Sequence, residues 1–168
     1  MQKFYNAFLN HLSTADITPD DEQTQVLAAI AEYLPSRVFK AGPYSGIYIW
    51  GPPGRGKSLL MDTCMACFPG SKLRMHFHEF LRDVNRKLFE AGENSEGLPA
   101  VLSAWLKPYK LVCFDEFHVH DIADSVFVSF FLKTVLKEKK KLILTSNYEP
   151  DKLFPDTLYR ASFLPTIT

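Results

Sequence analysis

The 168-residue sequence predicts an α/β fold in which a parallel β-sheet carries helices on both faces. Short apolar runs at 46–50, 73–77, 111–116 and 142–147 are typical of buried strands, and segments with helical periodicity separate them. This alternation favours parallel pairing, because each helix provides the crossover to the next strand. A glycine-rich loop at 51–58 follows the first run and indicates where the sheet would carry a site.

The composition is typical of one globular domain. Hydrophobic residues make up 46% of the chain, charged residues make up 23%, and the formal net charge is zero. The balanced charge argues against a free-standing nucleic-acid binder, which usually carries a basic surplus. No apolar stretch approaches the length of a membrane span, so we expect a cytoplasmic protein without an integral membrane segment.

The cysteines are expected to be reduced in that compartment. Cys64 and Cys67 have C-x-x-C spacing but fall on a predicted helix. Zinc would need a second pair of ligands, and a redox pair would need to stand at a helix start. We therefore expect both side chains to serve packing.

Residues 1–40 are predicted to form helices that precede the core at 46–168. Apolar side chains at helical spacing define the first helix: Phe4, Tyr5, Phe8, Leu9 and Leu12. Thr18 is the expected cap of the second helix, because Pro19 suits the first helical position and acidic residues follow it. The apolar face of that helix comprises Val26, Leu27, Ile30 and Leu34.

The remaining helices follow from the same periodicity. One leaves the loop at Ser58 and ends at 68–70. Two more lie on either side of a polar loop at 92–97, with these apolar positions: Phe80, Leu81, Val84 and Leu88, then Leu98, Val101, Leu102 and Trp105. Asp121 is a plausible cap for a long helix that continues past Phe130.

The glycine-rich loop matches the phosphate-binding pattern G-x-x-x-x-G-K-[ST] without a gap, and its residues are Gly51, Pro52, Pro53, Gly54, Arg55, Gly56, Lys57 and Ser58. In such a loop the backbone N–H groups and the following helix N-terminus face the phosphates of a nucleotide. We therefore predict ATP as ligand, with Lys57 at the β- and γ-phosphates and Ser58 on Mg²⁺. The alternative is an ordinary Gly/Pro turn ahead of a helix.

Two carboxylates end the run at 111–116. In P-loop ATPases the first carboxylate of such a pair holds Mg²⁺ and the second deprotonates the attacking water. This assigns Asp115 to the metal and Glu116 to the general base. Alternatively, the two acids would cap the next helix.

The run at 142–147 turns abruptly polar at its end. Polar side chains at the carboxyl end of a parallel strand face the ligand crevice. Asn147 is therefore a candidate to position the attacking water near the γ-phosphate. A simple strand-to-turn junction is the alternative.

Together with these motifs, further segments resemble one family. They are H-F-H-x-F at 76–80, F-D-E-F-x-V-x-D-I-A-D at 114–124, T-S-N at 145–147 and L-Y-R-A-S-F-L-P at 158–165. The chain resembles the ZapE-type AAA+ ATPases, which are bacterial proteins of the division ring with mitochondrial relatives. The resemblance implies one AAA+ core over 1–168, with Asn147 as its first sensor. It also puts Arg160 at the position of an arginine finger, which would reach the nucleotide of a neighbouring subunit; the alternative is a surface arginine on a short helical turn.

The sequence departs from that family at its end. Family members usually continue through another strand and a helical lid with a second sensor arginine; the given sequence ends at Thr168, and on that ground we expect these parts to be missing. A further arginine often follows the finger, where this chain has Ser162. The departures imply weaker nucleotide binding and turnover in a truncated or naturally reduced member.

The resemblance implies a Mg²⁺-dependent ATPase that remodels a protein partner. That partner would be the tubulin-like protein FtsZ, at the division site on the inner face of the membrane. Two alternatives stay open: a helicase-loader-like module acting on single-stranded DNA, and a nucleotide-binding switch without efficient hydrolysis.

Four histidines would cluster if their strands are neighbours: His76, His78, His118 and His120. Paired imidazoles suit zinc or copper. Hydrogen-bonded histidines at strand tips are the commoner outcome.

Overall fold

The computed structural model describes residues 2–35, 46–92, 97–119 and 122–153. Four parallel strands form one sheet in the order β1-β4-β3-β2. The strands are β1 (Ile47–Trp50), β2 (Lys72–His76), β3 (Leu111–Asp115) and β4 (Lys141–Ser146). The helices are α1 (Gln2–Thr14), α2 (Asp21–Tyr33), α3 (Lys57–Cys67), α4 (Phe77–Ala91), α5 (Leu98–Leu106) and α6 (Ile122–Lys137), and a 3₁₀ turn spans Pro150–Lys152.

The helices cover both faces of the sheet, as predicted. Side chains alternate between the faces along a strand. On β3, Cys113 packs in the core formed with α1, α2 and α3, whereas Val112 and Phe114 pack in the core formed with α4, α5 and α6. Every residue of β3 and β4 is buried, because each of these strands has a strand on either side and helices on both faces. Cys64 is fully buried in the first core.

Two boundaries differ from the sequence prediction. The second helix is capped by Asp20 rather than Thr18, because Asp20 and Gln23 form a reciprocal capping box. Gln23 N donates to Asp20 Oδ1 at 2.8 Å and Asp20 N donates to Gln23 Oε1 at 3.1 Å. Phe77 was predicted to end a strand, but it is the first residue of α4 and is buried among aromatic rings. Within the described ranges, none of the helices is long and apolar enough to cross a membrane.

Candidate active site

A cavity of about 660 Å³ opens where the parallel strands end at their carboxyl termini. Such crevices are the usual ligand sites of open parallel sheets. Its walls come from the glycine-rich loop, α3 and the ends of β2, β3 and β4: Pro53, Gly54, Gly56, Lys57, Ser58, Arg74, His76, Asp115, Glu116, Thr145, Ser146 and Asn147. The predicted loop residues Gly51, Pro52 and Arg55 lie in the loop but outside this lining.

Glycine is required at two positions of the loop. Gly54 and Gly56 have φ values of 79° and 80°, in the left-handed region that other residues adopt at a cost. Gly56 directly precedes α3, so the loop delivers the N-terminus of that helix to the cavity. Gly51 N donates to Ser146 O at 3.2 Å and thereby joins the loop to β4. The result is a backbone cradle with a partially positive helix end.

Lys57 folds back over its own loop. Its Nζ donates to the carbonyl oxygens of Gly51 at 2.6 Å and Pro52 at 2.8 Å. Burial lowers the pKa of Lys57. The ammonium is thus held at the mouth of the cradle by carbonyl groups, which a phosphate oxygen would replace as acceptors.

Helix α2 supports the loop from behind. Gln23 Nε2 donates to Arg55 O at 3.3 Å, and Arg55 Nη2 lies 2.9 Å from Glu22 Oε2. A Cβ at Gly56 would meet Gln23 Nε2 at 2.4 Å. The sequence analysis did not predict this contact between α2 and the loop. The capping-box spacing of Asp20 and Gln23 was a signal that Gln23 lies in the first turn of a helix, but not that this turn lies beside the loop.

Asp115 ends β3 with both carboxylate oxygens engaged. Thr145 Oγ1 donates to Oδ1 at 3.2 Å, and Arg74 Nε donates to Oδ2 at 2.5 Å. The guanidinium of Arg74 also contacts the carboxylate of Asp62 on α3. Burial alone would lower the pKa of Arg74, but the hydrogen bonds and charges of Asp115 and Asp62 outweigh it and raise the pKa. Arg74 was not among the predicted site residues, since nothing near it in sequence marks a partner.

Glu116 follows β3 in an unusual backbone conformation. Its φ is 54°, which is uncommon outside glycine and typical of functional sites. The conformation turns its side chain into solvent at the cavity edge, where it is 70% exposed. His76 Nδ1 lies 3.7 Å from Glu116 Oε2. The predicted base therefore has this histidine beside it.

The end of β4 forms the back of the cavity. Thr145 O accepts from Phe117 N at 2.7 Å, and Ser146 Oγ donates to Phe117 O at 2.7 Å. These bonds fix the turn after Asp115 and Glu116 against β4. Asn147 comes next and is exposed on the cavity wall.

The donor set fits magnesium. Ser58 offers a hydroxyl and Asp115 a carboxylate, both on the lining of one cavity, and hard oxygen ligands of this kind suit Mg²⁺. Mg²⁺ typically takes one or two protein ligands and completes its shell with water and phosphate oxygens.

The histidines do not form one cluster in the part of the chain that is described. The His76 and His78 rings stack at 5.6 Å, whereas the His118 ring stacks on Tyr148 at 4.4 Å. Over the described ranges, no group of three or more His, Cys, Asp or Glu side chains could hold a metal ion. His120, the predicted helix cap Asp121 and the predicted finger Arg160 lie outside the described residues.

Comparison with known proteins identifies relatives of this chain. The family model described as AFG1-like ATPase matches residues 2–168. The chain is 37% identical over 129 residues to the cell division protein ZapE of Escherichia coli K12, a match that covers 76% of this chain and 34% of that protein. The chain spans about a third of the length of the curated relatives it matches.

Two solved structures share the fold at low sequence identity. DnaA from Aquifex aeolicus bound to AMPPCP superimposes with a TM-score of 0.63 at 16% identity, over 86% of this chain and 45% of that one. The DnaC helicase loader superimposes with a TM-score of 0.57 at 17% identity, over 98% of this chain and 88% of that one. At these identities the likeness concerns the fold alone. Together with the family match, it confirms the predicted fold class, a P-loop domain of AAA+ type.

Proposed function

This chain belongs to the AFG1-like ATPase family, and on that premise we propose that its cavity binds ATP with Mg²⁺ and hydrolyses it. One observation carries the proposal: the phosphate-loop residues Lys57 and Ser58 line the same cavity as Asp115 and Glu116. The two pairs are more than 50 residues apart in sequence, yet parallel pairing brings their strand ends to one edge of the sheet.

In the proposed ground state, the backbone of the loop and the N-terminus of α3 bind the phosphates. Lys57 exchanges its bonds to the Gly51 and Pro52 carbonyls for phosphate oxygens. Ser58 and Asp115 would hold Mg²⁺, which when bound neutralises charge that develops on the transferred phosphoryl group.

In the proposed hydrolytic step, Glu116 accepts a proton from the attacking water. Its exposed carboxylate at the cavity edge is suited to this, because water reaches it from solvent. Asn147, at the carboxyl end of the adjacent parallel strand β4, orients that water through its amide. Arg160 of a neighbouring copy stabilises the transition-state charge, a role that rests on the family resemblance.

For the partner we propose a protein client. The relative from Escherichia coli is described as a cell division protein, so a division-ring polymer such as FtsZ is the first client to test. On this proposal the ATP cycle of the whole protein remodels that client in the cytoplasm, at or near the inner membrane. The likeness to DnaA and DnaC concerns the fold and supports no DNA substrate for this chain.

Nucleotide-dependent stability tests the central step. A ligand that binds only the folded state at a hundredfold excess over its Kd stabilises it by about 2.7 kcal/mol. We expect ATP with Mg²⁺ to raise the melting temperature, and Lys57→Ala to lose this rise, because the ammonium that meets the phosphates is gone.

Lys72→Ala is the matched control, since it removes a lysine that bonds Phe68 O at 2.7 Å outside the cavity lining. An equal ATP-induced rise in Lys57→Ala and in the parent would contradict the proposal. Phosphate release with and without FtsZ polymer then tests hydrolysis and the client.

A further inference from the structure

A cation sits on the carboxylate that is proposed to hold magnesium. Arg74 Nε lies 2.5 Å from Asp115 Oδ2, and the same guanidinium contacts the carboxylate of Asp62. Arg74 belongs to β2, Asp115 to β3 and Asp62 to α3. One side chain therefore ties three elements together at the edge of the cavity.

Arg74 and a metal ion would both bind the carboxylate of Asp115. Carboxylate lone pairs either accept hydrogen bonds or bind a cation, and Asp115 Oδ1 already accepts from the Thr145 hydroxyl at 3.2 Å. Water screens the pair only in part, since the side chains of Arg74 and Asp115 are 21% and 13% exposed. The guanidinium is thus a strong competitor for Oδ2.

Asp62 provides the guanidinium with a second partner. It lies one helical turn after Ser58 on α3, so both side chains face the same side of that helix. Its side chain is 64% exposed, so few neighbouring atoms restrict its rotamers. Arg74 is therefore able to leave Asp115 without losing its counter-ion.

We infer that Arg74 is a positioning residue that competes with magnesium for Asp115 and thereby weakens the contribution of the metal to nucleotide binding. The inference rests on the proposed function. A metal ion without nucleotide must displace the guanidinium and gains few protein ligands at this site. When ATP is bound, its phosphates add oxygen ligands and negative charge that offset the displacement. A purely structural ion pair would instead affect stability and leave the metal dependence unchanged.

The test measures how much magnesium strengthens nucleotide binding. The Kd of a fluorescent, non-hydrolysable ATP analogue is measured by anisotropy in excess EDTA and in excess Mg²⁺, and the ratio of the two values is the metal enhancement. We expect Arg74→Gln to increase this enhancement by about tenfold or more, because the metal no longer displaces a charge-assisted hydrogen bond. Adding Asp115→Asn to Arg74→Gln should remove the gain.

Arg86→Gln is the matched control. It removes an arginine that pairs with Asp83 at 2.6 Å outside the cavity lining, and we expect the enhancement of the parent. Arg74→Lys keeps the charge but not the planar fork that spans two carboxylates, so it should give a smaller rise and covers the case in which Arg74→Gln does not fold.

An enhancement that stays at or below the parent value in the folded Arg74 variant overturns the inference. Failure of the proposed function has a different signature: the analogue would bind equally well to the parent and to Lys57→Ala. The two results are read from separate variants in the same assay.

Discussion

The two walls of the cavity are held in place by contacts of different kinds. The loop wall, residues 51–58, is shaped by its own backbone: three glycines with positive φ, and Lys57 bonded to carbonyls five and six residues before it. The carboxylate wall comprises Arg74, His76, Asp115 and Glu116, which are positioned by side chains from β2, β3 and β4. Local backbone geometry thus prepares binding, whereas long-range ion pairs and hydrogen bonds set the environment of the proposed chemistry.

The two walls also differ in the neighbouring helices that hold them. The loop wall has one helix behind it, through Gln23 and Glu22 of α2. The carboxylate wall is tied to α3 through Asp62. A change in the first wall should therefore alter affinity, and a change in the second should alter turnover or metal dependence.

The largest expected effect falls on the carboxylate wall. Glu116→Gln keeps the shape of the side chain but removes its ability to accept a proton, so phosphate release should fall about 10²–10⁴-fold. Nucleotide affinity should stay within twofold to threefold of the parent, as measured with the same fluorescent analogue. Glu90→Gln, an exposed acidic residue near the end of helix α4 and outside the cavity lining, serves as control, and we expect it to keep the turnover of the parent. If Glu116→Gln released phosphate at the rate of the parent, the assignment of Glu116 as the general base would be wrong.

The next effect falls on the loop wall. Gly56→Ala places a Cβ 2.4 Å from Gln23 Nε2 at a φ of 80°, so the loop must shift or Gln23 must leave. The left-handed backbone alone costs about 1–2 kcal/mol. We expect both the melting temperature and the affinity for the ATP analogue to fall.

Gly92→Ala separates the effect of backbone strain from that of the steric clash with Gln23. Gly92 has a φ of 66°, its Cβ would meet nothing within 4 Å, and it lies at the end of α4 away from the cavity. It should lose stability but keep the affinity of the parent. Equal affinities in both variants would mean that the contact with α2 does not shape the loop.

The smallest effect tests the support behind the loop. Asp20→Ala removes the acceptor for Gln23 N and should lower the free energy of unfolding by about 1 kcal/mol, as is usual for an N-cap. The affinity for the analogue should fall slightly, because Gln23 also bonds Arg55 O.

Glu22→Gln is the control for charge in the same turn. Its ion pair with Arg55 is exposed, so urea denaturation should show no measurable change. A loss as large as that of Asp20→Ala would assign the effect to charge rather than to the cap.

Much of this site could be predicted because its signals are contiguous. The octapeptide at 51–58 and the apolar run that ends in Asp115 and Glu116 each encode a strand, a turn and a polar group within a few residues. The alternation of strands and helices predicted the parallel sheet for the same reason, since hydrophobic periodicity is a local property. The start of α2 was misplaced by two residues, because the Asp20–Gln23 capping box prevailed over the preference for Pro19 at the first helical position.

What the sequence by itself determined, then, is the phosphate loop, the acidic strand end and the class of fold, since each follows from neighbours along the chain. The tertiary structure alone decided that Arg74 meets Asp115, that Thr145 donates to the same carboxylate, and that Gln23 lies behind Gly56. These partners are 41, 30 and 33 positions apart. Their contacts exist only because β4 lies between β1 and β3, because β2 pairs with β3, and because α2 packs beside the loop. The residue type fixes the charge of a side chain, but its counter-ion is fixed by packing, and packing depends on the whole chain.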